Sequence, residues 1–302
     1  MTTPISHILY PTDFSDNARQ ALPFALHIAK KTNAELHILH AIEEPYDFAP
    51  MAQKIKQSVH RKVELLFQEI IEEIRADEAY RELPISTGIS LGRAAYAIQE
   101  EVEQKPGYLI IMGTRGRSTI ERLLVGSTTS ETIGHTHVPV VAIPEAARFG
   151  ERFSHFLFAT DYREHDLEAL AYVNELAKLL SADITVFHAS SNQNLVSEIN
   201  FRGFREVVRE TIDAPNIIFE QVNTDDFISA IEAKITTDRP AIVAMVRYQQ
   251  PFSLLGPHHS RKMSQLTSKP LLVIPGDPEF FNAETNDKST NIKKGKQPIK
   301  RS

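Results

Sequence analysis

The sequence predicts an α/β protein with two tandem domains, each built on a five-stranded parallel sheet. Two observations support this fold class. Short runs rich in Ile, Leu and Val alternate with amphipathic helical stretches, which indicates a parallel sheet covered by helices on both faces. The second half of the chain also repeats the start of the first half, and 302 residues suffice for two domains that each bury a core.

Five strands and four helices are predicted in the first half. We expect strands over residues 7–10, 35–40, 85–90, 108–112 and 138–143, and helices over 15–31, 52–76, 92–102 and 127–135. Pro23 lies inside the first predicted helix, where it removes one backbone hydrogen bond. A kink or a late helix start is therefore expected at this position.

An internal repeat relates the two halves. Residues 7–41 align without a gap on residues 155–189, and the other positions mostly keep their apolar or polar character. A repeat of this length indicates a duplicated domain, because solenoid units are much shorter. The positions of the first copy that recur unchanged are His7, Leu9, Thr12, Asp13, Ala21, Leu22, Ala29, Lys30, Ala34, His40 and Ala41.

The repeat and the change in composition near the C-terminus predict the domain organisation. We expect one domain over residues 1–147 and a second over residues 148–278. Residues 279–302 show no periodicity and are rich in lysine, so they are predicted to form a disordered basic tail.

A glycine loop follows the fourth strand of the first half. It contains Gly113, Gly116 and Gly126, and the next helix begins with three hydroxyl residues, 127–129. Glycine permits close backbone approach, and the first N–H groups of a helix favour an anion, so this pattern suits a phosphate. The alternative is a turn followed by a Gly/Ser helix cap. The loop has neither the GK[ST] ending of a Walker loop nor the shorter GxGxxG spacing of dinucleotide folds.

The second half departs from this pattern. Val246 stands at the position of Gly113, and Gln249 stands at that of Gly116. Pro257 replaces the first hydroxyl residue and has no N–H to donate to a phosphate. A phosphate site is therefore predicted in the first half alone.

Composition limits the classes of function. The chain has no cysteine, which excludes disulfides, thiolate nucleophiles and Cys-ligated metal sites. Neither a long apolar run nor a secretory signal pattern is recognisable, so we expect a cytoplasmic protein without a membrane partner. The net charge of -6 argues against nucleic acid as a partner.

These motifs together resemble the universal stress protein family in its tandem form. The resemblance is based on Pro11-Thr12-Asp13 after the first strand, His40-Ala41 at the end of the second, and the G-x2-G-x9-G-[S/T] spacing. It implies a Rossmann-like fold of the adenine-nucleotide α-hydrolase-like type in each half. Family members with this glycine motif bind ATP, commonly with Mg or Mn, and members without it generally do not.

The resemblance also implies roles for particular residues. It indicates an adenosine pocket, contacts to the ribose and α-phosphate, and a site for the outer phosphates. In that order, the residues are Pro11, Thr12, Asp13 and Ala41; Met112, Gly113 and Gly116; and Gly126, Ser127, Thr128 and Thr129. Family dimers pair their fifth strands, so residues 138–143 and 271–274 are expected to pair within this chain. Whether the chain forms a further homodimer stays open.

Several of these residues have a second interpretation. Asp13 either contacts the nucleotide or caps the following helix. His40 and His188 recur at the end of equivalent strands, where we expect a hydrogen-bonding role and not metal binding. Arg115 and Arg117 either touch phosphates or remain solvated.

Three functions follow from this reading of the chain. The first is an ATP-binding regulatory stress protein that uses only its first domain. The second is a ligand-independent interaction scaffold in which neither domain binds a nucleotide. The third is a slow ATPase, although the sequence indicates no general base beyond Asp13, and neither catalytic residues nor a protein-held metal site are predicted.

Overall fold

The chain is described by a computed structural model. It describes residues 5–43, 52–114, 127–150, 153–163, 165–191, 194–213, 217–238, 241–248, 269–276 and 280. The predicted site residues Gly116 and Gly126 lie outside these ranges, as do Arg115, Arg117 and the predicted tail after Phe280.

The first half alternates strands and helices as predicted. Its elements are β1 His7–Pro11, α1 Asp16–Arg19, α2 Leu22–Thr32, β2 Glu35–Ile42, α3 Ala52–Ala76, β3 Ile85–Leu91, α4 Ala94–Glu103, β4 Tyr108–Gly113, α5 Ser127–His135 and β5 Val140–Ile143. The long amphipathic stretch forms one continuous helix, α3, with the predicted bounds. Its apolar side, which includes Val63, Phe67 and Ile70, packs into the core of the first half.

The second half repeats the alternation of strands and helices from its first strand to its fourth, and its fifth strand follows after residues that lie outside the described ranges. Its elements are β6 His155–Ala159, α6 Asp166–Leu180, β7 Asp183–Ser190, α7 Leu195–Thr211, β8 Ile217–Asn223, α8 Phe227–Asp238, β9 Ile242–Arg247 and β10 Leu271–Pro275. None of the described helices of either half is both long and apolar enough to cross a bilayer.

The first predicted helix is divided into two. α1 ends at Arg19 and α2 begins at Leu22, so Pro23 occupies the first turn of α2. A proline in the first turn loses no intrahelical hydrogen bond, because the first N–H groups of a helix have no partner within it. The late helix start that Pro23 predicts is therefore confirmed.

The two five-stranded sheets are joined into one. The strand order is β3-β2-β1-β4-β5-β10-β9-β6-β7-β8, and pairing is parallel within each half. At the junction β5 and β10 run antiparallel, with Val141 opposite Leu272 and Val140 opposite Val273. The α/β fold is confirmed, and the expected pairing of the fifth strands is present within one chain.

Helices cover both faces of this sheet. On one face a single apolar core extends through both halves and includes Ile28 of α2 and Val173 of α6. On the opposite face are two smaller clusters, with Ile98 of α4 in one and Ile231 of α8 in the other, and Val273 of β10 packs into the cluster with Ile98. The two halves are therefore joined through packing on both faces as well as through the strand pair.

The segments after β5 and β10 pack in the same way. Phe149 lies against Phe24 of α2 with ring centroids 5.2 Å apart, and Phe280 lies against Tyr172 of α6 at 5.6 Å. Phe280 was expected in the basic tail, but its ring belongs to the packed structure. The domain boundaries themselves stay predictions.

We predict that the strand junction is a main source of stability. Leu272 is fully buried between the halves, so Leu272→Ala should lower the free energy of unfolding by about 2–5 kcal/mol through lost burial and a residual cavity. Urea denaturation measures this change. Leu195→Ala is the control, because Leu195 is 75% exposed and its truncation should change stability by less than about 0.5 kcal/mol. Equal effects of the two substitutions would contradict the prediction.

Candidate functional site

The sheet order of the first half creates a topological switch point. From β1 the chain moves outward to β2 and β3, and it then returns to the other side of β1 to form β4 and β5. Ligands of open α/β sheets bind beyond the carboxyl ends of the strands at such a point. Pro11, Thr12 and Asp13 stand at the end of β1, and Gly113 ends the neighbouring strand β4. Four of the predicted site residues therefore lie at the neighbouring carboxyl ends of β1 and β4.

A tight turn after β1 sets the position of Asp13. The Phe14 N–H donates to Thr12 Oγ1 at 3.0 Å, and the Ser15 N–H donates to Asp13 Oδ1 at 3.0 Å. Phe14 has a positive φ of 60°, which these two side chains help to hold. The helix cap of α1 is Ser15, whose hydroxyl accepts from the Ala18 N–H. Asp13 thus shapes the turn before the helix and does not cap the helix itself.

The two repeated histidines bind backbone carbonyls. Nδ1 of His40 donates to the Thr12 carbonyl at 2.7 Å, and Nδ1 of His188 donates to the Thr160 carbonyl at 2.7 Å. A carbonyl only accepts, so the proton lies on Nδ1 in both rings. The described residues contain no group of three or more His, Asp or Glu side chains arranged to hold a metal ion. The predicted hydrogen-bonding role of these histidines is confirmed.

Gly113 is required by the packing of α1. A Cβ at this position would lie 2.7 Å from the carbonyl oxygen of Asn17, closer than non-bonded atoms approach. The Gly113 carbonyl accepts a hydrogen bond of 2.9 Å from the hydroxyl of Thr129, which is buried. Thr129 thus anchors the first turn of α5 to the end of β4, although its hydroxyl was expected to face a phosphate.

The remaining predicted residues differ in exposure. Ser127 is exposed and Thr128 is half-buried at the start of α5, which lies at the carboxyl edge of the sheet because α5 connects β4 to β5. Ala41 of β2 is half-buried and lies beside Ser90 of β3. The side chain of Met112 is buried in the apolar cluster that also contains Ile98 of α4.

One contact at this edge was not predicted. Arg93 precedes α4, and its guanidinium donates to the Glu131 carboxylate of α5 at 2.8 Å. This ion pair ties the turn after β3 to the helix that begins at Ser127. An exposed pair of this kind contributes at most about 1 kcal/mol, so it orients the helix more than it stabilises the fold.

Comparison with known proteins assigns the family. A model described as the universal stress protein family matches residues 4–144. Universal stress protein MJ0531 of Methanocaldococcus jannaschii is 30% identical over 137 residues, which cover 45% of this chain and 80% of that protein. The chain belongs to the universal stress protein family.

Two further relatives of this family define the extent of the likeness. Universal stress protein YxiE of Bacillus subtilis is 25% identical over 143 residues, which cover 45% of this chain and 97% of that protein. The crystal structure of a universal stress protein from Archaeoglobus fulgidus covers 90% of this chain and 97% of its own, with a TM-score of 0.69 and 20% identity. The second likeness shows the fold across both halves of this family member.

The second universal-stress-protein-like half has a bridged switch point between β6 and β9. Asp166, which is 1% exposed, accepts from the Thr160 hydroxyl at 2.6 Å and from the Asp161 and Arg163 N–H groups at 3.1 Å each. Its other oxygen accepts from the Tyr248 hydroxyl, just after β9, at 2.6 Å. The Asp166 carboxylate therefore accepts the hydrogen bonds of the backbone N–H groups at this switch point.

Nothing comparable to this bridge is seen in the described part of the first half. The residue aligned with Asp166 is Ala18, which has no polar side chain. Burial and the neighbouring Asp166 carboxylate raise the pKa of Tyr248 well above its usual range, so this hydroxyl stays a donor at neutral pH. The sequence analysis missed this difference, although an alanine aligned with an aspartate within an ungapped repeat is a signal that could have revealed it.

We predict that Gly113→Ala destabilises the protein, because its Cβ would displace the Asn17 carbonyl and with it α1. The free energy of unfolding should fall by about 1–3 kcal/mol, the usual cost of overpacking. Chemical denaturation of the variant tests this. Gly203→Ala in α7 is the matched control: a Cβ there meets open space, so a gain of about 0.5–1 kcal/mol is expected. A neutral Gly113→Ala variant would show that α1 tolerates the added methyl group.

A second prediction concerns the second half, which we call the bridged half because Asp166 and Tyr248 connect its strand ends. Tyr248→Phe should lower stability by about 1–3 kcal/mol at neutral pH, because the buried carboxylate of Asp166 loses a donor. Thermal and urea unfolding provide the measurement. Tyr96→Phe serves as control, since Tyr96 is 56% exposed and loss of its hydroxyl should matter little. If both variants unfold like the wild type, the Tyr248 hydrogen bond is not a structural contact.

Proposed function

We propose that this universal stress protein binds one molecule of ATP, together with Mg²⁺ or Mn²⁺, at the switch point of its first half. The observation that supports this most directly is the asymmetry between the two switch points. In the first half the end of β1, the end of β4 and the start of α5 converge without a bridging carboxylate from α1. In the second half Asp166 and Tyr248 close the equivalent gap.

The described residues fit an adenine nucleotide. In the proposal, Pro11, Thr12 and Asp13 at the end of β1 would form one wall, and the small side chain of Ala41 in β2 would leave room for a flat base. A carboxylate at this position suits ribose hydroxyls, which donate hydrogen bonds. The part of the pocket that takes the base and sugar would then be formed by the ends of β1 and β2.

The phosphates would lie at the start of α5. The helix offers unpaired N–H groups and the positive end of its dipole there. We propose Ser127 and Thr128 as the hydroxyl donors, while Thr129 supports them through its bond to Gly113. Gly116 and Gly126 complete this part of the site in the proposal.

The metal ion would enter with the nucleotide. Mg²⁺ commonly keeps several waters and binds through phosphate oxygens, so it needs few protein ligands. This agrees with the absence of a metal-holding cluster among the residues that the structure describes. When bound, the ion neutralises phosphate charge, and the chain supplies the surrounding donors.

We propose a regulatory role in the cytoplasm, where ATP is available, and no catalytic reaction. Asp13 is the sole candidate base in the described part of the site, and one of its carboxylate oxygens is engaged by the Ser15 N–H. A group committed to holding a turn is poorly placed to accept a proton from water. Binding, and not turnover, is therefore the proposed activity.

An interaction scaffold is the second candidate, and one observation favours it. The start of α7 presents large apolar side chains to solvent: Leu195, Val196 and Ile199 are 75%, 63% and 57% exposed. Exposed apolar groups that lie together often mark a protein-binding surface. In this reading neither half needs a nucleotide.

Calorimetric titration of the full chain with Mg-ATP separates the two functions. We expect one nucleotide per chain. Asp13→Asn should weaken binding by about tenfold, because it removes the negative charge but retains the oxygen that accepts from Ser15. Asp161→Asn alters the equivalent residue of the bridged half and should leave binding unchanged.

Other outcomes of this titration are equally informative. Absence of binding, together with no excess absorbance near 260 nm in the purified protein, would favour the scaffold; the chain contains no Trp to obscure that region. A stoichiometry of two, or equal effects of the two Asn variants, would contradict the asymmetry. ATP turnover that Asp13→Asn abolishes would establish the slow ATPase instead.

A further inference from the structure

The antiparallel junction brings the end of β9 next to the end of α5. Because β10 runs antiparallel to β5 and parallel to β9, the carboxyl end of β9 lies near the amino end of β5. α5 ends at His135, and a short connection leads to β5, which begins at Val140. A residue at the end of β9 in the second half can therefore reach the C-terminus of a helix in the first half.

Arg247 makes this contact. It is the last residue of β9, and its guanidinium donates from Nη1 to the Gly134 carbonyl at 2.9 Å and from Nη2 to the Thr136 carbonyl at 3.0 Å. The last carbonyls of a helix have no partner within it, and a cation there interacts favourably with the helix dipole. Arg247 thus caps α5 with two donors and a positive charge.

α5 depends on such contacts because it has little apolar anchoring. It is nine residues long, and its buried side chains are Thr129, Thr132 and Ile133. A helix this short is not stable by itself. Within the first half it is held by Thr129 at its start and by Glu131 in its middle. Arg247 holds its other end.

The residue of the first half that corresponds to Arg247 cannot cap a helix in this way. Strand register aligns Gly113 of β4 with Val246 of β9, so Thr114 corresponds to Arg247. Thr114 is buried, and its short side chain has no guanidinium with which to cap a helix across the junction. Among the residues that the structure describes, this capping by a cation runs from the second half to the first.

We infer that Arg247 is a positioning residue for the nucleotide site, through which the second half holds α5 so that its N-terminus faces the phosphates. This inference rests on the proposed function. It gives the second half a definite role. In the proposed function this half binds no nucleotide, but it holds a helix of the first half, which does.

The test compares three variants of the full chain. Arg247→Ala removes the donors and the charge, and should weaken Mg-ATP binding by about 5- to 20-fold. Arg247→Lys retains the charge but not the forked donors, so it should recover part of the affinity. Arg202→Ala is the control, because Arg202 is a largely exposed arginine of α7 that pairs with Glu198. It should bind as the wild type does.

Hydrogen exchange without nucleotide provides an independent readout. Amides 131–135 of α5 should exchange faster in Arg247→Ala than in the wild type, while the amides of α2 stay unchanged. Faster exchange in both helices would indicate general destabilisation and would overturn the inference. Unchanged affinity in Arg247→Ala, or no recovery in Arg247→Lys, would overturn it as well.

The two proposals fail in different ways. A wild-type protein that binds no Mg-ATP overturns the proposed function and, with it, the positioning role of Arg247. The exchange of the α5 amides still decides whether the second half holds this helix. A wild-type protein that binds Mg-ATP, with Arg247→Ala binding equally well, overturns the positioning role alone.

Discussion

The pairing of β5 with β10 determines how the rest of the molecule is arranged. Each half ends its own sheet at an edge strand whose backbone groups would otherwise lack partners. Joining the two edges satisfies those groups and buries Val141 and Leu272 completely. Because the pair is antiparallel, the carboxyl edges of the two halves face opposite ways. The two switch points therefore lie on opposite edges of one sheet. At each edge, the carboxyl ends of the strands of one half lie beside the amino ends of the strands of the other half.

The repeat separates structural features from ligand-binding ones. Both halves contain the same histidine bond to the threonine carbonyl and the same side-chain hydrogen bond within the turn, at Thr12 and at Thr160. These features therefore shape the strand end whether or not a ligand follows. What differs is the group that faces the gap, which is Ala18 in one half and Asp166 in the other. The residues that the halves share shape the strand end, and in the second half Asp166 and Tyr248 together bridge the gap.

Much of the fold could be predicted because it follows from local patterns. The apolar stripe of residues 52–76 specifies α3, and Pro23 specifies where α2 begins. The bonds that shape the site were beyond such patterns, because they join residues far apart in the chain, as in the pair of Arg247 with Gly134. Thr129 illustrates the same limit. Three hydroxyl residues at a helix start look alike in sequence, and the rotation of the helix against β4 decides which of them is buried.

The two halves also differ in how they obtain their stability at the switch point. In the second half, the buried Asp166 has its hydrogen bonds satisfied by the chain itself, from Thr160 and Tyr248 among others. In the first half, α5 is held mainly by polar contacts at its ends and in its middle. Elements with few apolar contacts are the ones whose position a ligand can shift, since little packing has to be broken. In the proposed function, phosphates that order the start of α5 would also alter the position of its C-terminus, to which Arg247 donates hydrogen bonds. In the proposed function, the second half thus supports the site and contacts, through Arg247, the helix that the phosphates would order.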